Sequence, residues 1–262
     1  MPTVRHLGQH SALPEHYDSS LLEAIPRQSS IDGVGYDIWH AYEVCALCED
    51  GMPVQAIAKL CYDRKSPSIV ESKSLKLYLY SLANEKMGHT PAEVLQHLET
   101  TIGKDLSALL QTQVKCSLHT FYNDLTNPLN HYPLLETNAE LLPVSEGELR
   151  IASHLLGSLC PVTGQPDWGT LVLHLAGERI PTRSELLDLL LAKRWERGFH
   201  EEICDALYTE LSRQYTPKHL MLSCLYTRRG GIDICPIRAT EVGIIPSHFI
   251  DVGTLSQPSF RR

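Results

Sequence analysis

Cys160 and Asp167 stand seven positions apart in the stretch Ser158 to Trp168, SLCPVTGQPDW. A thiol beside a carboxyl can act as a nucleophile with a proton donor, the thiolate attacking and the acid supplying a proton where charge builds. Pro161, Gly164 and Pro166 oppose both continuous helix and regular strand, so the whole stretch reads as a loop. The strand-like runs LRIASHLL before it and TLVLHLA after it would hold both side chains at the mouth of a packed scaffold. Taken alone, the loop favours a packing role for Cys160, because free cysteine usually behaves as a small buried hydrophobe.

Other chemistry is bounded by composition. The eight cysteines, at 45, 48, 61, 116, 160, 204, 224 and 235, lie in a 262-residue chain whose N-terminus has no apolar export-type segment, and they read as reduced thiols. Cys45 and Cys48 form a single C-x2-C without further ligands at zinc spacing, so core packing is favoured over a metal. His6, His10 and His16 lack partners at helical spacing and read as surface residues. A net charge of -8 and a pI near 5.9 argue against binding nucleic acid through a broad basic surface. No run of about 18 apolar residues suggests a membrane span, and a cytoplasmic location is expected.

The elements that must position these residues come in a repeating order. Residues 1–30 are dotted with Pro, Ser and His and read as an extended arm. In residues 31–126, YDIWHAYEVCAL and GMPVQAIAKLCYD read as strands. Ser68 and Glu71 have capping-box spacing ahead of Leu75, Tyr78, Leu79 and Leu82, which predicts a helix. Thr90-Pro91-Ala92-Glu93 opens a second helix carrying Val94, Leu95, Leu98, Ile102, Leu106 and Leu109, and VKCSLHTFY returns as a strand. Residues 127–144 form a proline-punctuated linker. In residues 145–262 the order recurs: strands over 149–156 and 170–176, helices opened by Thr182 and by Phe199, and strands near 219–227 and 231–237. The fold class is α+β, with hairpin-connected antiparallel strands and paired helices on one face.

The two copies keep different residues. ALCEDGMPV in the first stands where SLCPVTGQPD stands in the second, with Val54 in place of Asp167. The first copy's ESKSLKLY has its lysine pair where the second has TRSELLDL. Such divergence fits one site assembled from two half-sites, and it equally fits neutral drift of surface and packing.

Four motifs in order then carry a resemblance: ESKSLKLYLYSL from Glu71, SLCPVTGQPDWG with Cys160 and Asp167, FHEEIC from Phe199, and YTRRGGIDICP ending at Pro236. Together, over about Tyr36 to Pro236, they resemble the NADPH-dependent 7-cyano-7-deazaguanine reductases, nitrile reductases of queuosine biosynthesis in tRNA modification, in their two-module form. The resemblance implies two tandem tunnelling-fold modules (T-fold), with active sites at module interfaces. Cys235 departs from the family pattern, where asparagine is usual.

The resemblance implies catalytic roles for Cys160, Asp167 and His200. Thiolate attack by Cys160 on the nitrile carbon would give a thioimide able to accept hydride. Asp167 would protonate the nitrogen if burial raised its pKa enough to keep it protonated. His200 would relay a proton later, or simply bond to backbone at a helix start. Glu201 would accept two parallel hydrogen bonds from the base, with Glu71, Ser72 and Phe199 also contacting substrate. Lys73, Lys76, Arg228, Arg229 and Gly230, together with Ser72, would hold NADPH, since no GxGxxG or phosphate loop is present. The implied partners are a small-molecule deazapurine and a second copy of the chain, a dimer being favoured. A base-binding protein without turnover, a zinc-dependent cyclohydrolase-like enzyme and a cysteine hydrolase are the alternatives.

Overall fold

The computed structural model describes residues 5, 13–122, 127, 129–137 and 147–256. Much of the linker at 127–144, with His6 and His10, lies outside these. The first half runs β1 (Ala24–Pro26), β2 (Val34–Leu47), β3 (Pro53–Asp63), β4 (Ser68–Val70), α1 (Ser72–Ser81), α2 (Pro91–Leu110) and β5 (Val114–His119). The second runs β6 (Glu148–Leu159), β7 (Pro166–Ala176), α3 (Arg183–Lys193), α4 (His200–Tyr215), β8 (His219–Tyr226), β9 (Ile232–Ile234), β10 (Ile237–Ala239) and the short α5 (Ser247–Ile250). The α+β class with antiparallel strands holds: each paired strand runs antiparallel to its neighbour.

The halves share one eight-stranded sheet in the order β5-β3-β2-β10-β8-β7-β6, with β9 also pairing β2. Strand β10 joins them, lying between β2 of the first half and β8 of the second. Both long hairpins break register, at Ala41/Val44 in β2 and Ser153/Leu156 in β6, so the repeat extends to its β-bulges.

Alternation along the strands makes two faces. Trp39, Ala58, Leu60 and Tyr62 pack with α1 and α2, and Leu171, Leu173, Leu175, Leu220 and Leu222 pack with α3 and α4. Ile38, Cys61, Val172, Met221 and Leu225 point the other way, under Leu129, Tyr132 and Phe249. Both faces are covered, which is why these strands read as nearly continuous apolar runs.

Four expectations are corrected. Ser68 does not cap the first helix. It ends up in β4, and Glu71 is the N-cap, accepting from the amides of Lys73 (2.8 Å) and Ser74 (2.7 Å). The proline-rich stretch is not all loop: Asp167 lies on β7, opposite Ser158 of β6, and the hairpin loop is confined to about Cys160 to Gln165. Pro166 is tolerated because it starts its strand. The strand near 231–237 divides at Cys235 and Pro236 into β9 and β10. Finally, the arm is not merely extended, for its β1 pairs with β4 just ahead of α1.

The arm also enters a buried ionic network. Arg238 of β10 is fully buried between Asp37 of β2, 2.9 Å from its Nη2, and Asp205 of α4, which accepts from Nε. Arg27 pairs with Asp37. Arg64, following β3, donates to Asp205 at 2.7 Å and to the Ser29 carbonyl at 2.6 Å. Burial raises the carboxyl of Asp205, but Arg238, Arg64 and Ser29 outweigh it and keep that carboxyl below its ordinary range. Removing Arg238 leaves two buried carboxylates undercompensated. Arg238→Met is therefore expected to cost about 3–5 kcal/mol in urea unfolding at neutral pH. A change within experimental error would show that the network is not a stabilising link between the halves.

Candidate active site

The residues singled out in the two halves converge on one cavity of about 500 Å³ within a single chain. The first half supplies Trp39, Ile69 and Val70, then Ser72, Lys73 and Lys76 of α1. The second supplies Cys160, Thr163, Gln165 and Asp167 from the β6–β7 hairpin, and Phe199, His200 and Glu201 where α4 begins. Arg229 and Gly230 close it from the turn before β9, and Ile232 from the start of that strand.

Cys160 is the first residue after β6. Its amide donates to the Gln165 carbonyl at 2.8 Å, its carbonyl accepts from Gly164 at 3.0 Å, and its Sγ accepts from the Thr163 amide at 3.5 Å. The thiol is half-buried on the cavity wall. The thiols of Cys61 and Cys204 lie deeper: burial, against the pull of Lys59 and Lys115, pushes Cys61 up to about 12, and burial is the largest cause of the rise at Cys204. Those are packing groups, one on each face of the sheet.

Asp167 is nearly buried, and Arg229 Nη1 donates to its Oδ1 while His200 Nε2 lies 3.4 Å from Oδ2. Burial pushes its carboxyl up, but His200 and Arg229 prevail and hold it below the usual carboxylate range. The expectation of an acid kept protonated by burial is thus corrected, since the contacts of His200 and Arg229 reverse the sign. His200 stacks on Tyr226 with centroids 3.7 Å apart and planes 7° from parallel, and its buried Nδ1 has no hydrogen-bond partner. The backbone-bonded reading of its side chain does not hold.

Glu201, the second residue of α4, is 2% exposed, and its Oε1 has no hydrogen-bond partner. Burial, and then the charge of Asp37, push its carboxyl up to about 8 against the pull of Arg27 and Arg238. Phe199 caps α4 with its amide donated to Glu202 at 2.9 Å.

Two expected site residues stand elsewhere. Glu71 does not line the cavity: its oxygens accept the first amides of α1, and so it orients Ser72 and Lys73. Arg228 lies over the Tyr42 ring, 4.6 Å from its centroid, outside the lining. Lys73, Lys76, Arg229 and the left-handed Gly230 do share one wall, and the exposed Lys76 pairs loosely with Glu43 at 3.4 Å. Among the described residues, Cys45 and Cys48 are not grouped with a third possible metal ligand. His40, Asp233 and Cys235 form the group whose donor atoms lie close enough for one, yet they hydrogen-bond among themselves, His40 Nδ1 to Asp233 at 2.8 Å and Cys235 Sγ to Asp233 at 3.3 Å. Trp39 and the pairing of Arg229 with Asp167 were not foreseen. Trp39 sits in an alternating apolar strand and reads as core, and an ion pair between residues 62 positions apart leaves no local signal.

Residues 13–118 match the family described as nitrile reductase, 7-cyano-7-deazaguanine-reductase N-term, and residues 166–242 match the one described as QueF-like protein. A protein of Psychrobacter cryohalolentis named NADPH-dependent 7-cyano-7-deazaguanine reductase is 36% identical over 239 residues, 81% of this chain and 82% of its own. One of the same name from Chromohalobacter salexigens is 35% identical, covering 91% of this chain and 93% of its own, and one from Acinetobacter baumannii is 34% identical, covering 92% and 94%. A solved archaeosine synthase QueF-Like in its apo form is similar over 39% of this chain and 99% of its own, at 16% identity and a TM-score of 0.35. With identity sustained along both halves and the cysteine, carboxylates and histidine gathered at one cavity, this chain belongs to the NADPH-dependent 7-cyano-7-deazaguanine reductase family.

Proposed function

We propose that this protein reduces the nitrile of 7-cyano-7-deazaguanine to the aminomethyl group, consuming two NADPH. The observation that carries this reading is the set Cys160, Asp167 and His200 on the wall of a cavity in which Glu201 presents an unpartnered carboxylate oxygen. A carboxylate accepting from the ring N–H and exocyclic amine of a pyrimidinone edge fits that oxygen and its neighbour.

Cys160 attacks the nitrile carbon, and the displaced π pair on nitrogen takes up a proton. Because Asp167 starts ionised, it first accepts the thiol proton and then delivers it to that nitrogen, which balances the step without an outside acid. Arg229 and His200 hold Asp167 in the receiving state, and His200, stacked on Tyr226, hands on a proton as the imine-level product becomes an amine. NADPH supplies the two hydrides that complete the four-electron reduction. Its phosphates suit Lys73, Lys76 and Arg229, three cations on the cavity wall beside a glycine turn, and the solvent-exposed Lys76–Glu43 pair is readily exchanged for them.

The same reading treats residues 31–126 and 145–262 as tandem tunnelling-fold modules. Outer strands β5 and β6 leave sheet edges that support self-association, a dimer first. No described helix is long and apolar enough to cross a membrane. The reading is of a cytoplasmic enzyme that acts on a free base rather than on nucleic acid.

Two measurements test this. With the nitrile base, Cys160→Ala should abolish NADPH absorbance loss and Asp167→Asn should slow it by about 10²–10⁴-fold. Turnover surviving in Cys160→Ala would remove the covalent route. Separately, Glu201 raised to about 8 is protonated in the empty site at pH 7, whereas binding the two donors of the base requires its anion. Calorimetry in buffers of different ionisation enthalpy should therefore find about one proton released per base bound at pH 7, fading above pH 8. Binding heats independent of buffer would contradict this role for Glu201. The sign for stability follows: a carboxyl whose pKa is raised by folding stabilises below about pH 4.3 and loses that contribution as pH rises through about 8. Glu201→Gln should then melt a few degrees higher than the parent at pH 8.5, while losing the base.

A further inference from the structure

Trp39 is among the largest fully buried side chains of the molecule, 1% exposed, and it lines the same cavity as Glu201 and His200. Its strand position, opposite Ile234 of β9, and its packing against α1 account for the ring. They do not account for the indole N–H, which is buried without a hydrogen-bond acceptor. Indole nitrogen is a donor only, and a buried donor left unpaired is costly, so such a group on a residue that lines a cavity points to an acceptor on the ligand.

The ligand chemistry says which acceptor. The pyrimidinone edge of a guanine-type base presents, side by side, a 6-oxo acceptor, the N1–H donor and the 2-amino donor. Glu201 offers acceptors and so matches the two donors. That leaves the 6-oxo group in need of a donor. The lysines and Arg229 carry full charges suited to phosphate, whereas Trp39 offers one neutral, buried, unpartnered N–H.

We propose that Trp39 is a specificity-determining substrate contact, donating its indole N–H to the 6-oxo oxygen of the bound deazaguanine. The proposal rests on the reading of the site as a binder of that base. Trp39 and Glu201 then divide the edge between them, donor to acceptor and acceptor to donors. A 6-amino base meets the wrong group at both, since a site built around buried polar partners rejects ligands that leave them unpaired.

The test compares 7-cyano-7-deazaguanine with its 6-thioxo analogue, which keeps N1–H and the 2-amino group but replaces oxygen by a weaker acceptor. Wild-type protein should bind the oxo base about 5–10-fold more tightly than the thioxo base, the factor expected of one neutral hydrogen bond. In Trp39→Phe the ratio should fall towards one. A ratio of dissociation constants does not depend on how much of the variant is folded. Sulfur is also larger than oxygen, so a second readout separates bonding from room. The chain has three tryptophans, and the indole resonance missing from Trp39→Phe identifies the Trp39 N–H in ¹⁵N spectra. That resonance should move downfield when wild type binds the oxo base, and less with the thioxo base. An unmoved resonance, or an unchanged ratio in Trp39→Phe, overturns the role of Trp39 while the base-binding reading stands. Failure of the wild type to bind 7-cyano-7-deazaguanine at all overturns both.

Discussion

The buried guanidinium of Arg238 is the interaction on which the rest of the structure depends. It lies on the strand that joins the two halves of the sheet, and it binds a carboxylate from each half, Asp37 of β2 and Asp205 of α4. Burial disfavours its charge, and the surrounding carboxylates outweigh that penalty, so the guanidinium is held more firmly charged than in water. Because charges of the same network act on Glu201, the network that welds the halves also sets the electrostatics of a carboxyl in the cavity. A surface arm contributes Arg27 and Ser29 to it, which gives that unpatterned segment a defined place in the architecture.

Within the cavity, two carboxyl groups of similar intrinsic acidity are driven in opposite directions. Glu201 has Asp37 near it and no hydrogen-bond partner at Oε1, and it rises. Asp167 is also desolvated, but Arg229 and His200 contact it directly and it falls. Paired titratable groups whose environments separate them in this way are a means of assigning one to proton traffic and the other to recognition. The split depends on which cations lie within contact distance rather than on depth of burial, since both groups are buried.

Much of this was legible along the chain. The apolar runs of β2 and β3, the alternation of Leu171, Leu173 and Leu175 in β7 and the helical spacing of Leu75, Tyr78, Leu79 and Leu82 announced the elements, because burial leaves a pattern that residues record locally. The helix start at Thr182 held for the same reason, its capping partners Thr182 and Glu185 being three residues apart. Glu71 was misassigned at close range: a carboxylate at a helix start can cap that helix itself, and β4, formed only by pairing with the arm, displaced Ser68. Proline overstates the length of the loop around Cys160, because at the first position of β7 its missing amide costs nothing.

The amino-acid sequence by itself determined the α+β class, the repeated order of elements, the family and the pairing of Cys160 with Asp167 on one short segment, since these reside in local periodicity and in motifs of fixed spacing. Only the tertiary structure decided that the two halves share one sheet and build one cavity in a single chain, that the carboxyls of Asp167 and Glu201 are driven in opposite directions, and that Trp39, whose indole N–H has no partner, lines that cavity. Those properties arise from charges and dipoles brought together across 30 to 200 positions of chain. Coulombic and hydrogen-bond energies depend on distance in space, which separation along the sequence does not encode.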